Sequence, residues 1–194
     1  MISLTRLPQP VIAKVQGVAT AAGCQLVASC DMAIASSDAQ FGVPGLIVDC
    51  EYDMICMYQN ILVACRYSLT TCVPPFNRFC STPAVALSRN IPRKHAMRML
   101  LTGELISAKK ALAYGLVNDA VAPEMLELEI TKLAERISSQ SKFAICLGKN
   151  MFYEQLKYDD LGDAYEYAVG KVEENMKHPD AKQGIDDFVN KKKR

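Results

Sequence analysis

Few residues in this chain are of types and spacings that could do chemistry. In GVATAAGCQLVASCD, residues 17–31, small residues run from Gly17 to Gly23 and then give way to an apolar pattern with a period near 3.6. A tight turn therefore delivers the backbone onto a helix N-terminus, where N–H groups lack intrahelical partners and small side chains let a ligand approach. Simple helix packing by Ala21 to Gly23 is the bland alternative. His95 and His178 are far apart, without cysteine or carboxylate company at metal-ligand spacing, so they read as packing or surface residues and no metal site is expected. Asp31 reads as a structural acid at a helix-to-strand junction, where its carboxylate can accept exposed backbone N–H groups.

Eight cysteines sit in a 194-residue chain. With no secretory signal in view they read as reduced thiols, Cys24 and Cys30 as small buried apolar groups. Four of the eight fall in residues 49–78, with five, eight and six residues between them and neither CxxC nor His, so a zinc site is not expected there. Asp53, Gln59, Asn60 and Arg66 break the apolar stretches of that segment, which reads as a loosely packed insertion. Its acids, Asp49 and Glu51, read as solvated.

The composition, 50% hydrophobic and 22% charged, suits one globular domain with a substantial core. Lys plus Arg (22) nearly balances Asp plus Glu (21), so neither nucleic acid nor a membrane surface is an expected partner. No window reaches the roughly 18 uninterrupted apolar residues of a spanning helix, and the chain reads as soluble. At the start, Arg6, Pro8 and Pro10 interrupt any apolar signal core, and the Arg-rich character of a presequence is missing.

The elements that must position the turn follow from periodicity. VIAKV, residues 11–15, predicts a strand ended by Gly17; residues 21–29 a buried helix; MAIAS from Met32 a second strand; and QFGVP a short extended piece. From Pro92 the texture becomes helical. RKHAMRMLLTG has Pro at its start and Gly103 at its stop, Ser107 caps a short helix ending at Gly115, and further helices are expected over 124–138, 142–155, 161–176 and 181–191. Met97, Leu100 and Leu101 read as core or subunit-contact residues.

PVIAKVQGVATAAGCQLVASCDMAIASSDAQFGVPGL, continued by FCSTPAVALSRNIPRKHAMRMLLTGELISAKKALAYGLVNDAV and QGIDDFVNKKKR, resembles the crotonase superfamily of enoyl-CoA hydratases and isomerases. The resemblance covers nearly everything outside residues 49–78. It implies an α/β fold: a spiral of strand-strand-helix turns over residues 1–91, incomplete at the N-terminus, then a helical trimerisation region over 92–194. It also implies an acyl-CoA or enoyl-CoA ligand with no other cofactor, and a homotrimer, a hexamer or a mixed oligomer with relatives. The family suggests mitochondria; with no presequence in view, the cytosol stays open.

By the same resemblance, the N–H of Ala22 is the second donor of an oxyanion hole, and Gly23 allows close approach beside it. Such a hole stabilises the negative charge that hydration of an enoyl thioester places on its oxygen. The first donor belongs to an earlier strand, so the chain reads as an N-terminally shortened form. The two carboxylates a hydratase uses fall on Gln25 and Gly45, and a third acidic position of some isomerase branches falls near Ser81. Gln25 can hydrogen-bond water but cannot act as a base near neutrality, and Gly45 has no side chain. Phe188 and Lys191 match an aromatic and a lysine that the last helix places against the CoA of a neighbouring subunit; a solvated, cationic helix end explains them equally. Two functions follow as expectations: a hydratase-like acyl-CoA protein with little or no ordinary hydratase turnover, or a non-catalytic subunit assembling with full-length relatives. An altered transcript is a third account of residues 49–78.

Overall fold

The computed structural model describes residues 1–45 and 79–190. The segment at 49–78, with its expected insertion, and Lys191 both fall outside the described residues. After a short helix, α1 (Ile2–Arg6), the chain makes a turn of two strands and a helix: β1 (Ile12–Val15), β2 (Val18–Thr20) and α2 (Ala22–Ser29). The next turn begins with β3 (Met32–Ser36) and β4 (Gln40–Gly42). β3 lies parallel to β1 from Ile12↔Met32 to Val15↔Ala35, and β4 lies parallel to β2 from Val18↔Gln40 to Thr20↔Gly42. The first strand of each turn thus joins one sheet and the second strand the other, which is the expected spiral.

Gly17 makes the switch between sheets. Its φ of 94° lies where L side chains are strained, and its carbonyl accepts from the N–H of Gln40 at 3.0 Å. Asp31 does what its position suggested: Oδ2 accepts the N–H of Val11 at 2.6 Å, while the Asp31 N–H donates to the Val11 carbonyl at 3.0 Å. These bonds set the register of β3 on β1.

α3 (Ser81–Asn90) packs on α2, and Asn90 ties their ends together by donating to the carbonyls of Ala28 and Ala86 at 2.7 and 2.8 Å. α4 (Arg93–Thr102) and α5 (Ala108–Tyr114) follow, ended by Gly103 and Gly115 with φ of 63° and 81°. β5 (Ile106–Ser107) pairs antiparallel with β4, and β6 (Asp119–Val121) parallel with β3. Phe41, Leu87, Met99 and Ile106 are fully buried between these layers; a side chain such as Phe41 contributes on the order of 1.5–3 kcal/mol by burial.

The sequence reading assigns no helix to α3, and several shorter elements also escape the sequence pattern. β2, β5 and β6 are too short for a period-2 signal, and α1 buries no residue and so shows no apolar stripe. The structure divides into two compact units. One comprises Met1 and Val11–Lys132; the other comprises Ile2–Pro10 and Leu133–Arg194. β5 and β6 complete both sheets, so α4 and α5 belong with the spiral.

α6 (Leu126–Ser138) crosses the unit boundary, and α7 (Lys142–Gln155), α8 (Leu161–Lys177) and α9 (Pro179–Val189) build the second unit. Ser141 caps α7 by accepting the Ala144 N–H at 3.3 Å, Asp160 caps α8 through Gly162 and Asp163, and Nδ1 of His178 accepts the Asp180 N–H at 3.2 Å to cap α9. Lys149 holds the N-terminal segment against α7, donating to the carbonyls of Leu4 and Gln9 at 2.9 and 2.8 Å. Both histidines pack against rings: His95 stacks on Tyr114 at 3.7 Å and His178 on Phe143 at 3.9 Å.

Candidate active site

Ala21 shapes the start of α2. Among the described residues it is the one non-glycine with positive φ, at φ 47° and ψ −112°, a conformation that costs an L residue on the order of 1–3 kcal/mol. Two hydrogen bonds hold it there. Its N–H donates to the Gly42 carbonyl at 2.9 Å, and its own carbonyl accepts the Gln25 N–H at 3.0 Å. No side chain caps α2. Ala22 is exposed and Gly23 is buried behind it, so the first N–H groups of the helix start at a surface residue that follows the doubly bonded Ala21.

Gly42 sits in a close approach. A Cβ there would stand 2.5 Å from Cδ2 of Leu105 and 3.3 Å from the Glu104 carbonyl, so the Leu105 side chain would have to move aside and the carbonyl give slightly. Because Thr20 pairs with Gly42, and Ala21 bonds to it, the chain from Gly42 to Gly45 lies against the N-terminal end of α2. Gly45 is half-buried and donates its N–H to the Val43 carbonyl at 2.8 Å.

Two thiols border the same loop. Burial pushes the Cys24 thiol up to about 12; the backbone of Gly42, hydrogen-bonding to its sulfur, works against this, and neighbouring Cys80 adds to the rise. Burial also raises the Cys80 thiol, opposed by a hydrogen bond from the backbone of Gly45. Cys24 is thus a small buried group, as expected, and Cys30 is half-buried.

The structure therefore gathers Ala22, Gly23 and Gln25 on the first turn of α2, Gly45 on the adjoining loop, and Ser81 as the first residue of α3 behind Cys80. None of these carries a carboxylate. Asp49 and Glu51 lie outside the described residues. Phe188 is 85% exposed on α9, in the other unit. Sequence reasoning placed Ala21 inside the helix and missed its strained conformation, which has no signature beyond the run of small residues, and it passed over Cys80, which reaches Gly45 only through the fold.

The sheet spiral and this helix start belong to a recognised class: the chain is a member of the Enoyl-CoA hydratase/isomerase family, whose profile matches residues 1–57 and 73–194. The interruption falls inside the segment 49–78. Enoyl-CoA hydratase domain-containing protein 3, mitochondrial, of Rattus norvegicus is 42% identical over 193 residues, covering 100% of this chain and 55% of that protein. (E)-Benzylidenesuccinyl-CoA hydratase of Thauera aromatica is 35% identical over 150 residues, covering 74% of this chain and 48% of that protein. The crystal structure of human enoyl Coenzyme A hydratase domain-containing protein 3 superposes with a TM-score of 0.82 at 40% identity, covering 99% of this chain and 64% of that one. The fold is thus the crotonase fold. The chain spans about half the length of the curated relatives it matches.

Proposed function

We propose that this chain is an enoyl-CoA hydratase-like protein of fatty-acid metabolism that binds acyl-CoA or enoyl-CoA and has little or no ordinary hydratase activity. The observation that carries this reading is the uncapped, exposed start of α2, fixed by Ala21; the family resemblance assigns the two carboxylate positions to Gln25 and Gly45. The Ala22 N–H supplies one donor to a thioester oxygen, and the small residues let that oxygen approach. The Gln25 amide can hold a water but cannot remove its proton, and Gly45 can deliver none. Each missing acid or base forfeits about 10² to 10⁴ in rate. Relatives named as CoA-ester hydratases support the ligand class, and relatives named mitochondrial support that compartment.

Calorimetric titration of the chain with a saturated acyl-CoA, followed by a crotonyl-CoA hydration assay, tests the reading. The expected result is binding with hydration near background, and partial recovery of hydration in the Gln25→Glu, Gly45→Glu double variant. Hydration at ordinary hydratase rates would overturn it.

A second reading, a non-catalytic subunit assembling with crotonase-fold relatives as a trimer or mixed oligomer, draws support from α8. Leu161, Tyr165, Val169, Val172 and Met176 are all exposed and recur at helical spacing along one face. Failure of a folded chain to bind the CoA ester, together with co-purification of a full-length relative, would favour it.

A further inference from the structure

The N-terminal ends of α2 and α3 meet the same short loop, and each presents a cysteine to it. Cys24 is the third residue of α2, fully buried, with its sulfur hydrogen-bonded to the backbone of Gly42. Cys80 stands immediately before α3, half-buried, packed against the core that contains Cys24, with its sulfur hydrogen-bonded to the backbone of Gly45. α2 and α3 pack directly on one another. Capping does not explain Cys80: it occupies the N-cap position of α3 without a side-chain cap bond, where serine, threonine, aspartate or asparagine would serve better. Both residues are free thiols in the structure.

We propose that Cys24 and Cys80 form a redox pair whose oxidation to a disulfide ties the first turns of α2 and α3 across the Gly42–Gly45 loop and closes the candidate site. The regulatory half of this inference rests on the CoA-ester reading above; the bond itself does not. The reagent is a small-molecule disulfide such as oxidised glutathione. The Cys80 sulfur, the more accessible, attacks it and expels one glutathione thiolate; the Cys24 sulfur then attacks Cys80 in the mixed disulfide and expels the second. One S–S bond is broken and one formed, and the two thiol protons end on the two departing glutathiones. The protein loses two electrons and the reagent gains them. Closure is the slow step, because Cys24 is buried and its thiolate is suppressed, so it must follow opening of the first turn of α2.

The test holds the full chain in a glutathione redox buffer, quenches with N-ethylmaleimide in denaturant so that buried thiols also label, and maps peptides without reduction. The expected result is a linked Cys24–Cys80 peptide pair, two fewer maleimides than the reduced chain, and loss of the link on adding dithiothreitol. In Cys80→Ser, Cys24 should stay free and label after denaturation. Cys24 and Cys80 both labelled at oxidising poise, or Cys80 linked to a different cysteine, would overturn the pair. Acyl-CoA titration of the reduced and linked forms reads the second half: binding by the reduced form alone supports closure, and equal binding by both refutes it. If the link forms and neither form binds, the CoA-ester reading and the closure of its site fail together, while the redox pair stands.

Discussion

The two compact units use the same alphabet of small and aliphatic residues to opposite ends. In Val11–Lys132, two three-stranded sheets and the helices α2 to α5 enclose a core that includes Phe41, Leu87, Met99, Leu100 and Ile106, while Val85, Met97, Leu101 and Leu112 stay exposed. In Ile2–Pro10 with Leu133–Arg194, α7 and α9 bury no residue and α8 buries Ala164 alone, while Leu161, Tyr165, Val169, Val172, Phe188 and Val189 lie open. A unit that closes its own core can carry strain, and the first does so at Ala21. The helices of the second unit pack on one another and carry end caps: Ser141, Asp160 and His178 accept N–H groups at the starts of α7, α8 and α9. The contrast teaches that the site-bearing unit holds the larger buried core, whereas the helical unit offers surface.

The sharpest way to break this comparison is a pair of phenylalanine truncations followed by urea denaturation. Phe41→Ala, at a fully buried side chain, should destabilise by about 3–5 kcal/mol. Phe188→Ala, 85% exposed, should stay within about 0.5 kcal/mol. A large loss at Phe188 would show that the second unit has a hidden core.

Alkaline pH gives the next effect, through Cys24. Its thiol moves from an ordinary value of 9.0 to about 12 in the folded chain, so above pH 9 the unfolded state sheds a proton that the folded state keeps. Stability is therefore full below pH 9 and falls between pH 9 and 12, by up to about 1.4 kcal/mol per pH unit from this group. Denaturation midpoints across that range should fall less steeply in Cys24→Ala than in the natural chain.

Relief of strain at Ala21 is smaller and opposite in sign. Ala21→Gly should stabilise by about 0.5–1 kcal/mol net of the extra freedom glycine gives the unfolded chain, seen as a higher denaturation midpoint at unchanged slope. A loss instead would mean that the Ala21 methyl packs usefully and that the site-bearing unit is less strained than its backbone indicates.

The smallest effect belongs to a surface pair in the same unit. Nε and Nη2 of Arg98 reach the two Glu104 oxygens at 2.7 and 3.1 Å, and hydrogen bonding to Arg98 holds the Glu104 carboxyl below its ordinary range. A depressed folded-state value means that the contribution is present above the ordinary carboxylate range and is lost as pH falls through the lowered value. Arg98→Ala should return the Glu104 titration toward normal by NMR, with little change in stability because solvent screens the pair.

Much was legible before any coordinates. The strands from Val11 and Met32 and the helices from Ala22, Arg93, Lys142 and Leu161 announce themselves because apolar periods and end signals are local properties of the chain. Gly103, Gly115 and Ser107 act as the stops and cap their types implied. The family was readable because the resemblance is carried by contiguous motifs.

Other features were decided only by folding. Three-residue β2 exists because β4 pairs with it, and β5 and β6 move α4 and α5 into the spiral, so no local period could mark the unit boundary at 132/133. The strain at Ala21 arises because its N–H must meet Gly42 while its carbonyl meets Gln25, a demand from two directions that sequence neighbours cannot display. Cys24 and Cys80 stand 56 positions apart in the chain yet border one loop of four residues. Residue type and local period determined most of the elements, whereas the contact between distant elements, which alone sets burial and backbone strain, decided how the candidate site is held.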